Sequence, residues 1–245
     1  MKVFTNYGQF EERCPINHDS IINHLLATYF KDYKDKRWRT AHDNLSNIIK
    51  ETFRLAAIMG FAKMSIRDLH QATGISIGGL YNYFESKEKL EAMIIEGVRF
   101  IATFSTYRLE DETVTQDIRL EQAVRGGIYL SEKFKPWFYF VFMELRTMTP
   151  ENMTKARDIE VIYLSKLAKL FNNDALAACD IAVIVQNWYL KSWKFKSTGI
   201  DYFTEHTLQI ARAMREKSLK TDYSTLEQHI YLNLLQDEFS EQTPL

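Results

Sequence analysis

The sequence predicts an all-α fold, with a small amino-terminal helix-turn-helix unit and a larger carboxy-terminal helical bundle. Three observations carry the prediction. Gly (9) and Pro (4) are scarce in 245 residues, which disfavours turn-rich sheet architectures. Apolar residues recur at three- and four-residue spacing along most of the chain, the period of an amphipathic helix. Two short helical patterns meet at Gly74 with almost no linker, flanked by a helical pattern before and a longer one after.

The residues around Gly74 fit a helix-turn-helix one by one. Ser65 stands at an N-cap position with Asp68 three residues on, close to a capping box. Ile66, Leu69 and Thr73 repeat at helical spacing and face inward. Gly74 can take the left-handed conformation that ends a helix. Ser76 caps the next helix, whose Leu80 and Phe84 pack inside. Ile77, Gly78, Tyr81 and Asn82 are left pointing outward. Gly78 and Gly79 in a first helical turn cost roughly 1 kcal/mol each against Ala, so close backbone approach to a phosphate is the natural reason to keep them. A second helix presented in this way suits a DNA major groove.

At these residues the sequence resembles the TetR family of bacterial transcriptional regulators, most strongly from about Ile48 to Leu90. The most specific part is Gly74-Ile75-Ser76, then Gly79-Leu80-Tyr81-Asn82-Tyr83-Phe84, then Ser86-Lys87-Glu88-Lys89-Leu90. Ala56-Ala57 and Gly60-Phe61 look like the family's first helix and its exit. Where relatives carry Thr or Ser before the Leu-Tyr pair, this chain has Gly79, so a hydroxyl contact to DNA is lost. The resemblance implies a DNA-binding domain at 43–90 and a ligand-binding and dimerisation domain at 91–245; the extension at 1–42, with one amphipathic helix, is an addition to the family's usual beginning.

Within that frame Arg67 is the candidate for base reading, since Arg can bond a guanine edge at two points. Ser65, Ser76, Tyr81, Tyr83 and Lys87 are candidates for phosphate contact. Asn82 reaches a base or a phosphate. Ile77, Gly78 and Gly79 complete the surface. Lys87 lies in a first helical turn, where a cation is unfavourable to the helix dipole, and a DNA phosphate would compensate.

Net charge is −1 overall, which excludes a wholly basic nucleic-acid binder. Residues 31–89 nonetheless hold eleven Lys and Arg against seven Asp and Glu, which suits a DNA-binding head on a mildly acidic body. Cys14 and Cys179 are far apart, which argues against a disulfide framework or a zinc site. The six histidines make no ligand spacing. No Gly-x-Ser-x-Gly elbow, phosphate loop, dinucleotide glycine motif or His-Glu-x-x-His occurs. A non-enzyme without a cofactor is expected, soluble and cytoplasmic, with no apolar run near the ~20 residues of a membrane span.

Taken in order, residues 1–16 read as irregular, and an amphipathic helix starts near Asp19. The basic, aromatic segment Lys31 to Arg39 is either an arm along DNA or a connector whose Trp38 packs on the head. A helix spans roughly 44–59, opened by His42-Asp43-Asn44. Ser86 caps a long helix to about Thr106, weakened by Gly97 in its middle. Glu110-Asp111-Glu112 breaks the chain before a helix at 115–133. Pro136 to Arg146 is apolar nearly all round and reads as deeply buried. Further helices occupy roughly 151–172, 174–196, 201–218 and 223–239.

Aromatic stripes at helical spacing mark either core or a ligand cavity. Phe100, Phe104 and Tyr107 form one stripe, and Trp137, Phe140 and Glu144 another. Tyr163, Asn187 and Trp188 lie on later helices. The family implies a cavity for a small effector in the body, and the many aromatics suit an apolar or amphipathic one. Ala175, Ala178, Ala182 and Val185, with Leu208, Ala211 and Met214 on the next helix, form small and apolar faces that let helices approach closely. The family pairs these two helices across a two-fold axis, whereas packing within one chain would use the same face. The function expected is a ligand-responsive repressor that binds a palindromic operator as a homodimer. The alternatives are an effector-independent activator or structural regulator of the same fold, and an enzyme with a convergent site.

Overall fold

The computed structural model describes residues 4–30, 35–106, 109–195 and 197–217, and among them the regular structure is entirely helical. In chain order the helices are α1 (Tyr7–Arg13), α2 (His18–Tyr29), α3 (Asp35–Met59), α4 (Ile66–Thr73), α5 (Ile77–Tyr81), α6 (Lys87–Thr106) and α7 (Gln116–Lys133). They continue with α8 (Lys135–Glu144), α9 (Pro150–Ala168), α10 (Ala175–Leu190), α11 (Ser192–Phe195) and α12 (Ile200–Lys217). The helix expected at 223–239, Tyr107 and residues 31–34 of the basic segment lie outside the described residues.

The extension is more ordered than its composition suggests. Residues Tyr7–Arg13 are helical because Asn6 caps them, its side chain accepting from the Gln9 N–H at 2.9 Å. The cap of α2 is Asn17, in a reciprocal box with Ser20. Helix α3 begins at Asp35, nine residues before the expected start, so His42-Asp43-Asn44 lie inside a helix. Trp38 packs against the core, as a connector would.

Helix α2 packs against both α3 and α6, and its Ile21, Ile22, Leu25 and Leu26 are buried. His18 Nε2 lies 3.1 Å from Ser46 Oγ on α3, and His24 Nε2 lies 2.6 Å from Glu96 Oε1 on α6. Further in, the buried Arg125 on α7 pairs with Glu121 and Glu205 and donates to the Thr5 carbonyl at 3.3 Å. Asp201 on α12 accepts from the Tyr7 N–H and from the Tyr129 hydroxyl, each at 2.8 Å. The extension is therefore built into the bundle by hydrogen bonds as well as apolar packing.

Two expectations about the bundle are corrected. The helix expected at 174–196 stops at Leu190, and Ser192–Phe195 form a separate short turn of helix. Helix α8 is not buried all round: Tyr139, Phe142 and Met143 are exposed. Its inner face carries Trp137, Phe140 and Glu144 and is turned towards the head, where Trp137 and Phe140 meet Phe53 of α3 at ring distances of 5.1 and 5.6 Å. No described helix is long and apolar enough to cross a membrane.

Candidate nucleic-acid interface and ligand cavity

Helix α4 starts where Ser65 and Asp68 cap each other. The Asp68 N–H donates to Ser65 Oγ at 3.2 Å, and the Ser65 N–H donates to Asp68 Oδ2 at 2.8 Å. These bonds from Ser65 hold the Asp68 carboxyl below its ordinary pKa. The helix ends at Gly74, at φ +73°, with its N–H bonded to the His70 carbonyl. His70 Nδ1 lies 2.7 Å from the Ile75 carbonyl oxygen, and Asn47 of α3 donates to the Thr73 carbonyl at 3.1 Å. The turn is thus fixed from both sides. Ser76 Oγ then accepts from the Gly79 N–H at 3.1 Å to open α5, and Leu80 and Phe84 are buried beneath it.

One continuous outward face results. Ser65, Arg67, Ser76, Ile77, Gly78, Tyr81 and Asn82 are exposed, with Tyr81 half accessible. Gln71 is exposed four residues after Arg67; that spacing on one helix face was the signal for it in the sequence. Gly78 has open space where a Cβ would stand, so it alone of the pair leaves room for a close approach from outside. Gly79 is used inwardly, since a Cβ there would lie 2.9 Å from Ile75 Cγ2 and 3.1 Å from Ser76 Oγ.

Two expected phosphate contacts are corrected. Tyr83 is buried, with its ring against Phe30 and its hydroxyl accepting from Asn44 Nδ2 at 3.0 Å. Lys87 turns back to the end of α3, donating to the carbonyls of Phe61 at 2.7 Å and Ala62 at 3.0 Å, with its ammonium over the Phe61 ring. Its partial burial lowers its pKa, against the pull of Glu88, Glu91 and Glu144. The cation that α6 disfavours in its first turn is stabilised by carbonyls of the protein itself.

A cavity of about 150 Å³, open on one side, lies in the body among α6, α7, α8, α9 and α10. Val98, Leu130, Val141, Ile159, Tyr163 and Val185 line it. Of the residues expected at a ligand site, Tyr163 is there. Trp137, Phe140 and Glu144 lie on the opposite face of α8, and the cavity takes Phe138, Val141, Phe142 and Leu145 from that helix and the turn after it. Trp137 and Phe140 are core, and Glu144 Oε1 accepts the Phe61 N–H at 3.0 Å. Phe100 is stacked under His24 of the extension, with centroids 4.4 Å apart. Phe104 packs against the core outside the lining. Asn187 is half-buried outside it too. Trp188 donates to Glu132 Oε2 at 2.8 Å and packs against Phe195 and Phe203.

The expected pairing stripe is also placed differently. Ala178, Leu208 and Ala211 are fully buried within the single chain, and Ala182 and Val185 face the cavity. Ala175 and Met214 are half-buried. The reason is local: α10 packs closely on α7, where Val185 Cγ1 would lie 3.1 Å from a Cβ at Gly127. Val185 is taken up by that crossing. Leu176 and Val183 on α10 and Tyr202 on α12 are exposed instead. No group of three His, Cys, Asp or Glu among the described residues could hold a metal ion.

Comparison with known proteins agrees with this geometry. Residues 48–92 match the family model for bacterial regulatory proteins of the tetR family. No curated protein matches the chain significantly. Among solved structures, a tetR-family regulatory protein from Rhodococcus RHA1 aligns over 70% of this chain and 96% of its own, with a TM-score of 0.63 at 14% identity. PfmR, a TetR-family transcriptional regulator from Thermus thermophilus, aligns over 69% and 97%, at 0.58 and 20%. AibR, solved with isovaleryl coenzyme A and operator DNA, aligns over 72% and 98%, at 0.57 and 19%. Residues 48–92 thus carry the helix-turn-helix domain of the tetR family of bacterial regulatory proteins, and the chain as a whole shares the all-α fold of these regulators.

Proposed function

We propose that the protein is a ligand-responsive repressor that binds an inverted-repeat operator as a homodimer. The observation that carries the reading is the exposed face from Arg67 through Asn82, held by capped helices on both sides of a fixed turn. Arg67 reads a base edge; Ser65, Ser76 and Tyr81 hold phosphates; Ile77, Gly78 and Asn82 enter the groove. The dimer forms through the outward faces of α10 and α12 at Leu176, Val183 and Tyr202. A two-fold axis there presents two heads to successive major grooves about 34–36 Å apart.

The effector occupies the cavity beside α6. Val98, Ala102 and Ser105 of α6 line it, while Lys87 at the other end of the same helix holds the end of α3. A ligand that prefers one placement of α6 therefore shifts the placement of the head, and affinity for DNA changes by differential binding to two states. A cavity left open by its own side chains favours this reading over an effector-independent regulator. AibR, with its acyl-coenzyme A and operator, is a structural neighbour in which both partners occur.

Selection of bound sequences from a random duplex library tests the proposal. The expected consensus is an inverted repeat with half-sites one helical turn apart, and Arg67→Ala relaxes the preference at one position per half-site with about a tenfold loss of affinity. Recovery of no enriched sequence at low salt contradicts it.

A further inference from the structure

Helix α2 belongs neither to the DNA face nor to the cavity wall, yet it is tied to both head and body. At its first residue, His18 Nε2 lies 3.1 Å from Ser46 Oγ of α3, and the His18 ring stands 6.0 Å from that of Trp137 on α8. At its end, Phe30 packs edge-on against Tyr83 of the head, with centroids 5.7 Å apart. Between them, His24 Nε2 lies 2.6 Å from Glu96 Oε1 of α6, and its ring is stacked on Phe100 of the same helix. Arg99 holds that carboxylate with two bonds of 2.7 Å, so the partner of His24 is fixed in place. His18 and His24 are six residues apart and so point about 120° apart around the helix, which is why one meets α3 and the other α6. The face between the links, Ile21, Ile22, Leu25 and Leu26, is fully buried.

We infer that α2 is a brace that fixes the angle of the head on the body, with His24 as its positioning residue, and thereby sets the half-site spacing that the dimer accepts. The inference rests on the homodimer and inverted repeat proposed above. Two heads joined through their bodies hold one spacing only if each head is held firmly on its own body. Lys87 makes one tie, to the carbonyls of Phe61 and Ala62, and a single tie permits rotation about it. Glu96 lies nine residues further along α6, about 13 Å away, and a second tie at that distance restricts the rotation. His24 sits at the edge of the packed face with 28% of its side chain exposed, so truncating it removes the tie without opening the core.

A binding titration tests the inference with two duplexes: the operator recovered by selection, and the same operator with one base pair added between its half-sites. The addition moves one half-site by about 3.4 Å and about 35° relative to the other. The wild type is expected to bind the longer operator about tenfold or more weakly than the original. His24→Ala and Glu96→Ala are each expected to bind the original about three- to tenfold more weakly than the wild type, because pre-organisation is lost, and the two operators within about threefold of each other. The double variant is expected to behave like either single one. Thr115→Ala removes the cap of α7 and is expected to keep the wild-type discrimination, which separates the brace from a general loss of stability. The inference is overturned if His24→Ala keeps the full penalty for the added base pair, if Thr115→Ala loses it as well, or if the wild type binds both operators equally; each leaves DNA binding in place. Binding of neither duplex by the wild type overturns the operator reading and the inference with it.

Discussion

Gly97→Ala is expected to lower stability by about 2–3 kcal/mol, because the methyl it adds has nowhere to go. A Cβ at position 97 would lie 2.2 Å from Trp137 Cζ3 and 2.8 Å from Cε3, far inside contact distance. Trp137 cannot retreat: it is buried, with Phe53 edge-on at 5.1 Å and His18 at 6.0 Å. Overpacking of a core costs about 1–3 kcal/mol, and the contact here is at the severe end. Replacing Gly in a helix interior returns up to about 1 kcal/mol, which is too little to cancel it. Thermal unfolding should show a fall of roughly 5–10 °C for a chain of this size. Shortening the ring with Trp137→Leu should make the two changes non-additive by about 1 kcal/mol or more. Strict additivity would mean that the two residues do not meet.

The second large effect is expected at the junction of head and body. Phe61, just after α3, is held at both ends of one residue. Its N–H donates to Glu144 Oε1 of α8 at 3.0 Å, and its carbonyl accepts from Lys87 of α6 at 2.7 Å. Its ring packs edge-on against Phe140 at 5.2 Å. Glu144→Ala leaves the buried N–H without an acceptor, which costs about 1–3 kcal/mol, and opens a gap beside Phe61. The expected total is about 2–4 kcal/mol in urea unfolding, with weakened DNA binding because the end of α3 is no longer fixed. Glu144→Gln keeps an acceptor oxygen and should stay within about 1 kcal/mol of the wild type. Equal losses for the two variants would show that the hydrogen bond to Phe61 is not what Glu144 contributes.

These two sites also show what a sequence can and cannot disclose. The helix-turn-helix was legible because its signals are local: Ser65 with Asp68, Gly74 at positive φ, Ser76 before α5. The common face of Trp137, Phe140 and Glu144 was legible too, as a helical period. Which neighbour that face meets was not. Periodicity assigns side chains to faces of a helix, while the packing of α8 between head and body decides that this face seals the junction and the opposite one lines the cavity. Gly97 reads in sequence as a weak point in a rod, yet it is where Trp137 fits. Lys87 reads as a free cation because the carbonyls it bonds lie 25 and 26 residues away. The small-residue stripe on α10 fits either a partner chain or α7, and within the folded chain its Val185 meets Gly127 of α7.

The most direct test of the central claim, that the surface from Ile77 to Asn82 enters a DNA groove, is a binding titration with duplex from the promoter beside the protein's own gene. Wild type and Ile77→Asp would be compared at two salt concentrations. Ile77 is exposed, so the substitution should leave the thermal midpoint unchanged. It places a carboxylate against phosphate, and the expected result is a loss of affinity of roughly tenfold or more, with wild-type binding that weakens steeply as salt rises. Equal binding by the two proteins, or no binding by the wild type at low salt, would contradict the account.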